Sequence, residues 1–280
     1  MTPEAELAAP SGAPQTKRAT VVIVSFNRAA QLKQLLAGLG ESHQIIVVDN
    51  GSTDGALDLE ALYPAARFIR LPRNFGLTKA LNLGVRAADA ELVLLLHDDV
   101  RIAGDAVGLL ADAMESRPDA GAVCPLLTTA TGEPAPQVRS LPTPALPDPS
   151  LKPATADTAE CISIAAMMVR GSFLRAMRYF DESYGAYGSE LDLCWQLQHA
   201  QKKILILRDV RATHDASPSP VKPEKLAGDR VAGTATFLGK RHGMVAGVLY
   251  RLKKGLAGLF TFRFSVAAGA FSGTKIDGTS

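Results

Sequence analysis

The chain has little cysteine, and its cysteines form no recognisable site. Cys124, Cys161 and Cys194 are widely spaced among 280 residues, and no C-x-x-C pair occurs. An odd and scattered set of this kind argues against a disulfide framework and against a zinc site. We therefore expect reduced thiols in a cytosolic protein.

Long apolar runs are also lacking. No stretch reaches the ~18 uninterrupted apolar residues that a membrane-spanning helix needs. The first residues, MTPEAELAAPSGAPQTKRAT, include early acids and no apolar centre, which is unlike a signal peptide. Their Pro, Ala, Gly and Ser content predicts a disordered leader over residues 1–18. We expect a cytoplasmic protein that is at most peripheral on the inner face of the cell membrane.

Two phosphate-binding signatures are absent as well. The chain contains no G-x-x-x-x-G-K-[ST] loop, and no G-x-G-x-x-G follows its first predicted strand. These motifs wrap backbone N–H groups around phosphates in P-loop and dinucleotide-binding proteins respectively. Their absence excludes a P-loop and counts against a dinucleotide enzyme.

Charge is nearly balanced overall but is unevenly distributed. The net charge is +2, yet residues 216–280 hold ten Lys/Arg and only three Asp/Glu, so the rest of the chain is slightly acidic. This asymmetry favours an anionic surface as the partner of the C-terminal part alone. Nucleic acid is not expected, because the basic residues have few aromatic residues between them.

What the sequence does contain is a regular alternation of apolar strands and helices. This order predicts βαβ units and an α/β domain with a mostly parallel sheet over residues 19–215. Inside it, the proline-rich stretch 128–158 predicts a long loop of the kind that often serves as a lid. Residues 216–280 predict a basic, mainly helical extension. The strand-like runs lie at residues 19–26, 44–49, 67–71 and 91–96.

Polar clusters follow three of these runs. In open α/β sheets, ligands bind at the carboxyl ends of the strands, so we expect the clusters to share one edge. Five apolar residues run directly into His97, Asp98 and Asp99. Such an acid pair suits a hard divalent cation, although two solvated acids in a turn would look the same. His214, in a predicted loop, is either a third ligand or structural. The clusters are 25–27, 49–54 and 97–99.

Two further segments suggest contacts to a nucleotide. Asp49 ends a buried strand, where its carboxylate can accept hydrogen bonds from a base or a ribose, and the small residues after Asn50 allow close approach, or form only a plain turn. Asn74 and Gly76 stand at a helix entrance with Lys79 in its first turn, an arrangement that attracts phosphates. Asn27 is predicted to cap the first helix.

The segment YGSELDLCWQL has two possible roles. Ser189 followed by Asp192 is typical of a capping box, which would leave Glu190 in solvent. Alternatively, Glu190 is a general base at the mouth of the helix.

Together these segments resemble the family-2 glycosyltransferases of the GT-A fold, especially bacterial rhamnosyl- and galactofuranosyl-transferases. The resemblance covers about residues 19–215 and implies a nucleotide-diphospho-sugar transferase fold. It implies an inverting transfer from a UDP- or dTDP-sugar to a hydroxyl of a glycan or lipid-linked acceptor in cell-envelope polysaccharide synthesis. The matching segments are VVIVSFNR, IIVVDNGSTDG, RNFGLTKALNLGVRAADAELVLLLHDDV, GSFLRAMRYFDESYGAYGSELDLCW and His214.

The resemblance also implies roles for individual residues. Asp99 would be the metal ligand of a D-x-D-type motif for Mn²⁺ or Mg²⁺, with Asp98 in support and His214 completing the shell. Glu190 falls on the family's catalytic aspartate. The contacts to the pyrimidine or ribose would come from Asp49, Ser25 and Asn27.

Two departures from the family pattern leave alternatives open. The family commonly has Gly-Glu-Asp-x-Asp before this helix, whereas the chain has Ser189 and Glu190 at the second and third positions, so that either Glu190 or Asp192 is the base or activity is reduced. Gln196 stands where an arginine is common. A non-catalytic nucleotide-sugar-binding protein is one alternative. A sugar nucleotidyltransferase is another, although it would need a glycine-rich basic loop after the first strand.

The basic extension has an apolar stripe, formed by Val245, Leu249, Leu252, Leu256 and Leu259. A basic amphipathic helix can lie on an anionic membrane and bring the protein to a lipid-linked acceptor. The alternative is that these helices pack on the main domain and form a wall of the acceptor site.

Overall fold

The computed structural model describes residues 17–215, 218–261, 264–273 and 275–276. The predicted leader thus lies, except for its last two residues, outside the described residues. The strands are β1 (Ala19–Ser25), β2 (Gln44–Asp49), β3 (Ala66–Arg70), β4 (Leu92–His97), β5 (Val100–Arg101), β6 (Ala120–Thr128), β7 (Pro136–Arg139), β8 (Lys152–Pro153), β9 (Thr158–Ala159), β10 (Cys161–Ile162), β11 (Ala166–Arg170) and β12 (Lys203–His214). The helices are α1 (Ala29–Leu39), α2 (Leu59–Leu62), α3 (Leu77–Arg86), α4 (Gly104–Ser116), α5 (Gly171–Ala176), α6 (Ser189–His199), α7 (Pro223–His242), α8 (Met244–Phe260) and α9 (Phe264–Ser272).

A central sheet in the order β3-β2-β1-β4-β11-β6-β12-β5 organises the chain, with β9 beside β12. The first four strands of this order are parallel to one another. The other half is mixed, because β11 runs antiparallel to both β4 and β6, whereas β12 is parallel to β6. The predicted α/β class is therefore confirmed, with a sheet that is parallel only in part.

The central strands are buried on both faces because each alternates its side chains between two cores. In β1, Val21 and Ile23 enter the core that α1 and α4 cover, whereas Val22 enters the core that α3 and α6 cover. In β4, Leu94 and Leu95 separate in the same way. A period of two along an unbroken apolar run is what a strand between two helical layers requires.

Three local expectations differ from the structure. The stretch 128–158 is not without secondary structure, since β7 and β8 form a small antiparallel sheet with β10. His214 is the last residue of the long strand β12 and not part of a loop. Asn27 does not cap α1, whose N-cap is Arg28 without a side-chain cap hydrogen bond.

Gly84 is a position where the fold depends on a missing side chain. It lies on the buried face of α3, and a Cβ atom there would come 2.3 Å from Val22 Cγ1 and 3.1 Å from Val48 Cγ2. Gly108 is also helical, but a Cβ atom there meets nothing within 4 Å. The comparison of the two separates steric cost from helix propensity.

We predict that Gly84→Ala lowers the free energy of unfolding by about 1–3 kcal/mol, because β-branched neighbours in the core must shift. Gly108→Ala should instead raise it by up to about 1 kcal/mol, since alanine is the better helix former. Urea unfolding followed by circular dichroism measures both. Equal effects of the two substitutions would contradict the close packing of α3 on the sheet.

Candidate functional site

The carboxyl ends of β1, β2 and β4 meet at one edge of the sheet. Ser25 pairs with Asp49 and Val24 pairs with His97 in the strand register. A cavity of about 250 Å³ lies at this edge. Five residues singled out by the sequence line it, namely Asn50, Asn74, Gly76, Asp98 and Asp99.

Arg28 is the counter-charge of the two strand-end acids. Its Nη1 donates to Asp99 Oδ2 at 2.5 Å and to Asp98 Oδ1 at 3.4 Å, and all three side chains are largely buried. Arg28 also lines the cavity. Arg28 was not among the predicted site residues, because only its place in the SFNR segment distinguished it from other arginines.

The second oxygen of Asp99 faces two histidines. Asp99 Oδ1 lies 3.4 Å from His214 Nε2, and His97, Asp99 and His214 each offer a ligand atom within 4.8 Å of the others. Neither Asp99 Oδ1 nor His97 Nε2 has a hydrogen-bond partner among the described residues, although both are buried. An unpartnered carboxylate oxygen and an unpartnered imidazole nitrogen, with the imidazole of His214 beside them, fit a divalent cation such as Mn²⁺. His97 was not among the predicted ligands.

The surroundings of Asp98 and Asp99 shift the pKa values of the two carboxyl groups in opposite directions. Burial lowers the pKa of His97 to about 4, so its imidazole is neutral at pH 7. Burial raises the pKa of Asp98 to about 6, against the opposing charge of Arg28. For Asp99, the effect of burial is outweighed by His214, His97 and Arg28, which hold its pKa well below the usual range. Asp99 is therefore the more strongly ionised of the pair.

A network of amides shapes the wall opposite the acids. Asn50 Nδ2 donates to Asn74 Oδ1 at 3.0 Å and to the Gly76 carbonyl at 3.2 Å, while Asn50 Oδ1 accepts from Phe75 N–H. Gly76 has a φ of +82°, and a Cβ atom there would lie 1.8 Å from the Ile276 carbonyl oxygen. Only glycine suits this position. Lys79 is half-buried in the first turn of α3 and does not line the cavity.

The turn after β2 is tied to the end of β1. Asn27, with a φ of 51°, donates its backbone N–H to Ser52 Oγ at 2.8 Å and accepts from Thr53 N–H through its side chain at 2.7 Å. Asp49 is buried, and its Oδ1 accepts from Ser52 N–H at 3.2 Å. Ser25 is buried beside it in the register. These residues hold the shape of the turn, and Asp49 does not itself line the cavity.

Glu190 is buried at the start of α6, and both of its carboxylate oxygens have partners. Arg139 Nη2 donates to Oε1 at 2.5 Å, and Gly188 N–H donates to Oε2 at 2.9 Å. Arg139 also donates to the Tyr187 hydroxyl. Arg139 lines a second cavity, of about 490 Å³, whose wall is formed by residues between 138 and 160. Glu190 is thus held by a residue of this second cavity.

Asp192 is tied to the C-terminal extension. Arg241 of α7 donates to Asp192 Oδ1 at 2.5 Å and lies over the ring of Trp195. The predicted capping box is wrong: Gly188 is the N-cap of α6, which has no side-chain cap hydrogen bond, and Glu190 is not in solvent. Burial of an acid at each of these positions needs a partner, and an arginine supplies it in both cases.

The chain is similar in sequence to a known protein family and to individual members of known function. The model of the family described as "Glycosyl transferase family 2" matches residues 20–174. The N-acetylglucosaminyl-diphospho-decaprenol L-rhamnosyltransferase of Mycobacterium tuberculosis is 26% identical over 259 residues, which cover 79% of this chain and 84% of the relative.

Solved structures share the fold at lower identity. The mannosyltransferase PcManGT from Pyrobaculum calidifontis, in complex with GDP-Man and Mn²⁺, has a TM-score of 0.59 at 16% identity and covers 92% of this chain and 75% of its own. S. aureus TarS 1–349 in complex with UDP-GlcNAc has a TM-score of 0.58 at 17% identity, covering 90% and 74%. At this identity the likeness establishes the fold alone.

We predict that Arg28→Ala lowers the free energy of unfolding at pH 7 in metal-free buffer by about 3–5 kcal/mol, because two buried carboxylates lose their counter-charge. Arg18→Ala is the matched control, since Arg18 also bridges two acids, Asp112 and Glu115, but at an exposed site. It should have little effect. Urea unfolding of both variants is the measurement, and a loss no larger than that of the control would contradict the buried pairing.

Proposed function

Since the chain belongs to glycosyl transferase family 2 and is a glycosyltransferase of the GT-A fold, we propose that it transfers a sugar from a UDP- or dTDP-sugar to a hydroxyl group. The acceptor in this proposal is a glycan or a lipid-linked saccharide of cell-envelope polysaccharide synthesis. The observation that carries the proposal is the strand-end cavity, which His97, Asp98 and Asp99 line, with His214 at 3.4 Å from Asp99. The printed name of the mycobacterial relative, which specifies a diphospho-decaprenol acceptor, supports the lipid-linked class.

The donor would occupy the strand-end cavity. In this proposal Asn50, Asn74 and Gly76 form the wall against the nucleotide, because their amide network and the absent side chain leave a rigid, closely approachable surface. Lys79 and the entrance of α3 attract the phosphates. The pyrimidine and ribose contacts are assigned to Asp49, Ser25 and Asn27, which shape the adjoining turn.

A divalent cation, Mn²⁺ or Mg²⁺, is part of the proposal. Asp99 and His214 would hold it, His97 adds a neutral imidazole, and Asp98 supports the site from the next position. When bound, such an ion stabilises the negative charge of a departing diphosphate as a Lewis acid. Arg28 lines the same cavity, and its guanidinium gives the diphosphate a second, permanently charged partner.

We assign the role of general base to Glu190. Its carboxylate would take the proton of the acceptor hydroxyl while that oxygen bonds to the anomeric carbon and the bond to the diphosphate breaks. A single in-line displacement of this kind inverts the configuration of that carbon. Glu190 is favoured over Asp192 because its partner Arg139 lines the 490 Å³ cavity, where an acceptor has room, whereas Asp192 joins α6 to α7.

We predict that one pyrimidine diphosphate, UDP or dTDP, raises the unfolding temperature together with Mn²⁺. At ~100 times the Kd the gain is about 2.7 kcal/mol, or roughly 5–10 °C for a chain of this size. Thermal unfolding with UDP, dTDP, GDP and CDP, each with and without Mn²⁺, makes the measurement. Asp99→Asn should abolish the shift and the exposed-site control His199→Ala should keep it. No shift with any nucleotide would overturn the assignment of the cavity.

We predict that Glu190→Gln lowers kcat by about 10²–10⁴-fold, the usual contribution of a general base, and leaves the nucleotide-dependent thermal shift intact. Asp192→Asn should retain most of the rate, because that carboxylate serves the packing of α7. The measurement is turnover of sugar donors that carry the nucleotide responsible for the thermal shift. NMR of the product should show the anomeric configuration opposite to that of the donor. The reverse ranking would move the base to Asp192, and retention of configuration would refute the displacement mechanism.

A further inference from the structure

The helix α8 presents its apolar residues outward, and we propose that this face binds the surface of an anionic lipid bilayer. Every member of the apolar stripe that the sequence shows is exposed in the structure, with Leu249 at 60% and Leu256 at 50%. An ordinary surface helix does the opposite and turns such a stripe toward its own core. The exposed set on this face includes Val245, Leu249, Leu252, Leu256, Leu259 and Phe260.

Leucines cannot occupy the inward face of α8, because that face packs closely against α7 and α9. Three glycines and Tyr250 occupy the buried positions, and the glycines allow α7 and α9 to approach closely. A Cβ atom on Gly247 would lie 2.5 Å from the Ala235 carbonyl oxygen, one on Gly255 would lie 2.4 Å from the Phe271 ring, and one on Gly258 would lie 2.8 Å from Ala267 N. The orientation of the helix is therefore set by sterics, and the apolar face is left outward.

The charge around this face selects its partner. The helix α8 itself contains no Asp or Glu, whereas it includes Arg251, Lys253 and Lys254. Lys253 is exposed and lies between Leu249 and Leu256 on the helix surface, within three or four residues of each. Apolar side chains at a bilayer interface, with the exposed Lys253 among them and no acid within α8 itself, match an anionic lipid surface. The acid that contacts α8 from outside the helix, Asp148, is held by the buried Tyr250 and by Lys254.

The helix would lie on the bilayer and would not cross it. Among the described helices, none combines the length and the apolar content that a membrane span requires. The one-sided distribution of α8, with glycines inward and leucines outward, also fits a helix that lies in the plane of the interface.

Docking through α8 would place the candidate acceptor cavity at the membrane. Tyr250 donates to Asp148 at 2.6 Å, and Lys254 forms an ion pair with the same carboxylate at 2.8 Å. Asp148 lines the 490 Å³ cavity together with Arg139, the partner of Glu190. The contact with lipid is inferred from α8 alone and does not depend on the proposed sugar transfer.

The test is flotation of the full chain with liposomes, without substrate. We expect binding to vesicles of phosphatidylglycerol mixed with phosphatidylcholine, little binding to phosphatidylcholine alone, and a decrease at high salt. Leu249→Glu/Leu256→Glu should weaken binding about tenfold or more, since apolar contact is replaced by like charge. The control Leu62→Glu/Leu109→Glu changes leucines of matched exposure, 60% and 50%, outside the extension and should bind as the wild type does.

Three results would overturn the proposal. The first is no binding to the anionic vesicles at low salt, and the second is an equal loss of vesicle binding in the two double variants. The third is a wild-type dimer in sedimentation that Leu249→Glu/Leu256→Glu converts to monomer while vesicle binding is absent. The last result would assign the face to a second copy of the chain. Circular dichroism and the nucleotide-dependent thermal shift of each variant show that the fold and the donor site are retained, so failure of docking is separable from failure of sugar transfer.

Discussion

The burial of Asp98 and Asp99 at the end of β4 is the constraint on which the rest of the site depends. Two adjacent carboxylates at the edge of an apolar core need opposite charge, and Arg28 supplies it from the residue before α1. That pairing fixes the beginning of α1 against the end of β4. It also leaves Asp99 Oδ1 to the two histidines, one from β4 and one from β12. A single pair of acids thus joins the start of α1, the end of β4 and the end of β12 at one edge of the sheet.

The C-terminal extension completes the site and is not an appendage. Asp229 of α7 accepts from Ile276 N–H at 2.9 Å, and Ile276 in turn lies against Gly76 in the strand-end cavity. Burial raises the pKa of Asp229 to about 6, although backbone N–H groups, including that of Ile276, favour its ionised form. On the same helix Arg241 reaches Asp192, and Phe237 is fully buried in the core that α3 and α6 cover. Residues 19–215 and the C-terminal extension therefore share a core and a cavity wall.

Several features could be predicted from the sequence because they rest on local pattern. Unbroken apolar runs predict the strands between the two cores, and the rule that ligands bind at strand ends predicts the shared edge at which Asn50, Asp98 and Asp99 line one cavity. Other features rest on partners that are distant in the chain. The spacing of Ser189 and Asp192 is typical of a capping box. In the structure the acids of α6 pair instead with distant arginines, Glu190 with Arg139 and Asp192 with Arg241. Asn27 likewise joined the turn at Thr53 instead of capping α1.

The sequence by itself determined the α/β class and the set of polar residues at the strand ends, since both follow from the order of apolar and polar residues along the chain. The family was indicated by the resemblance of its motifs to those of known glycosyltransferases. The tertiary structure alone decided that Arg28 neutralises the acid pair, that His97 faces Asp99, and that α8 turns its leucines outward. The reason is the same in all three cases. A side chain's partner depends on which distant segments the sheet and helices bring within a few ångströms, and neither spacing nor propensity in one segment encodes that proximity.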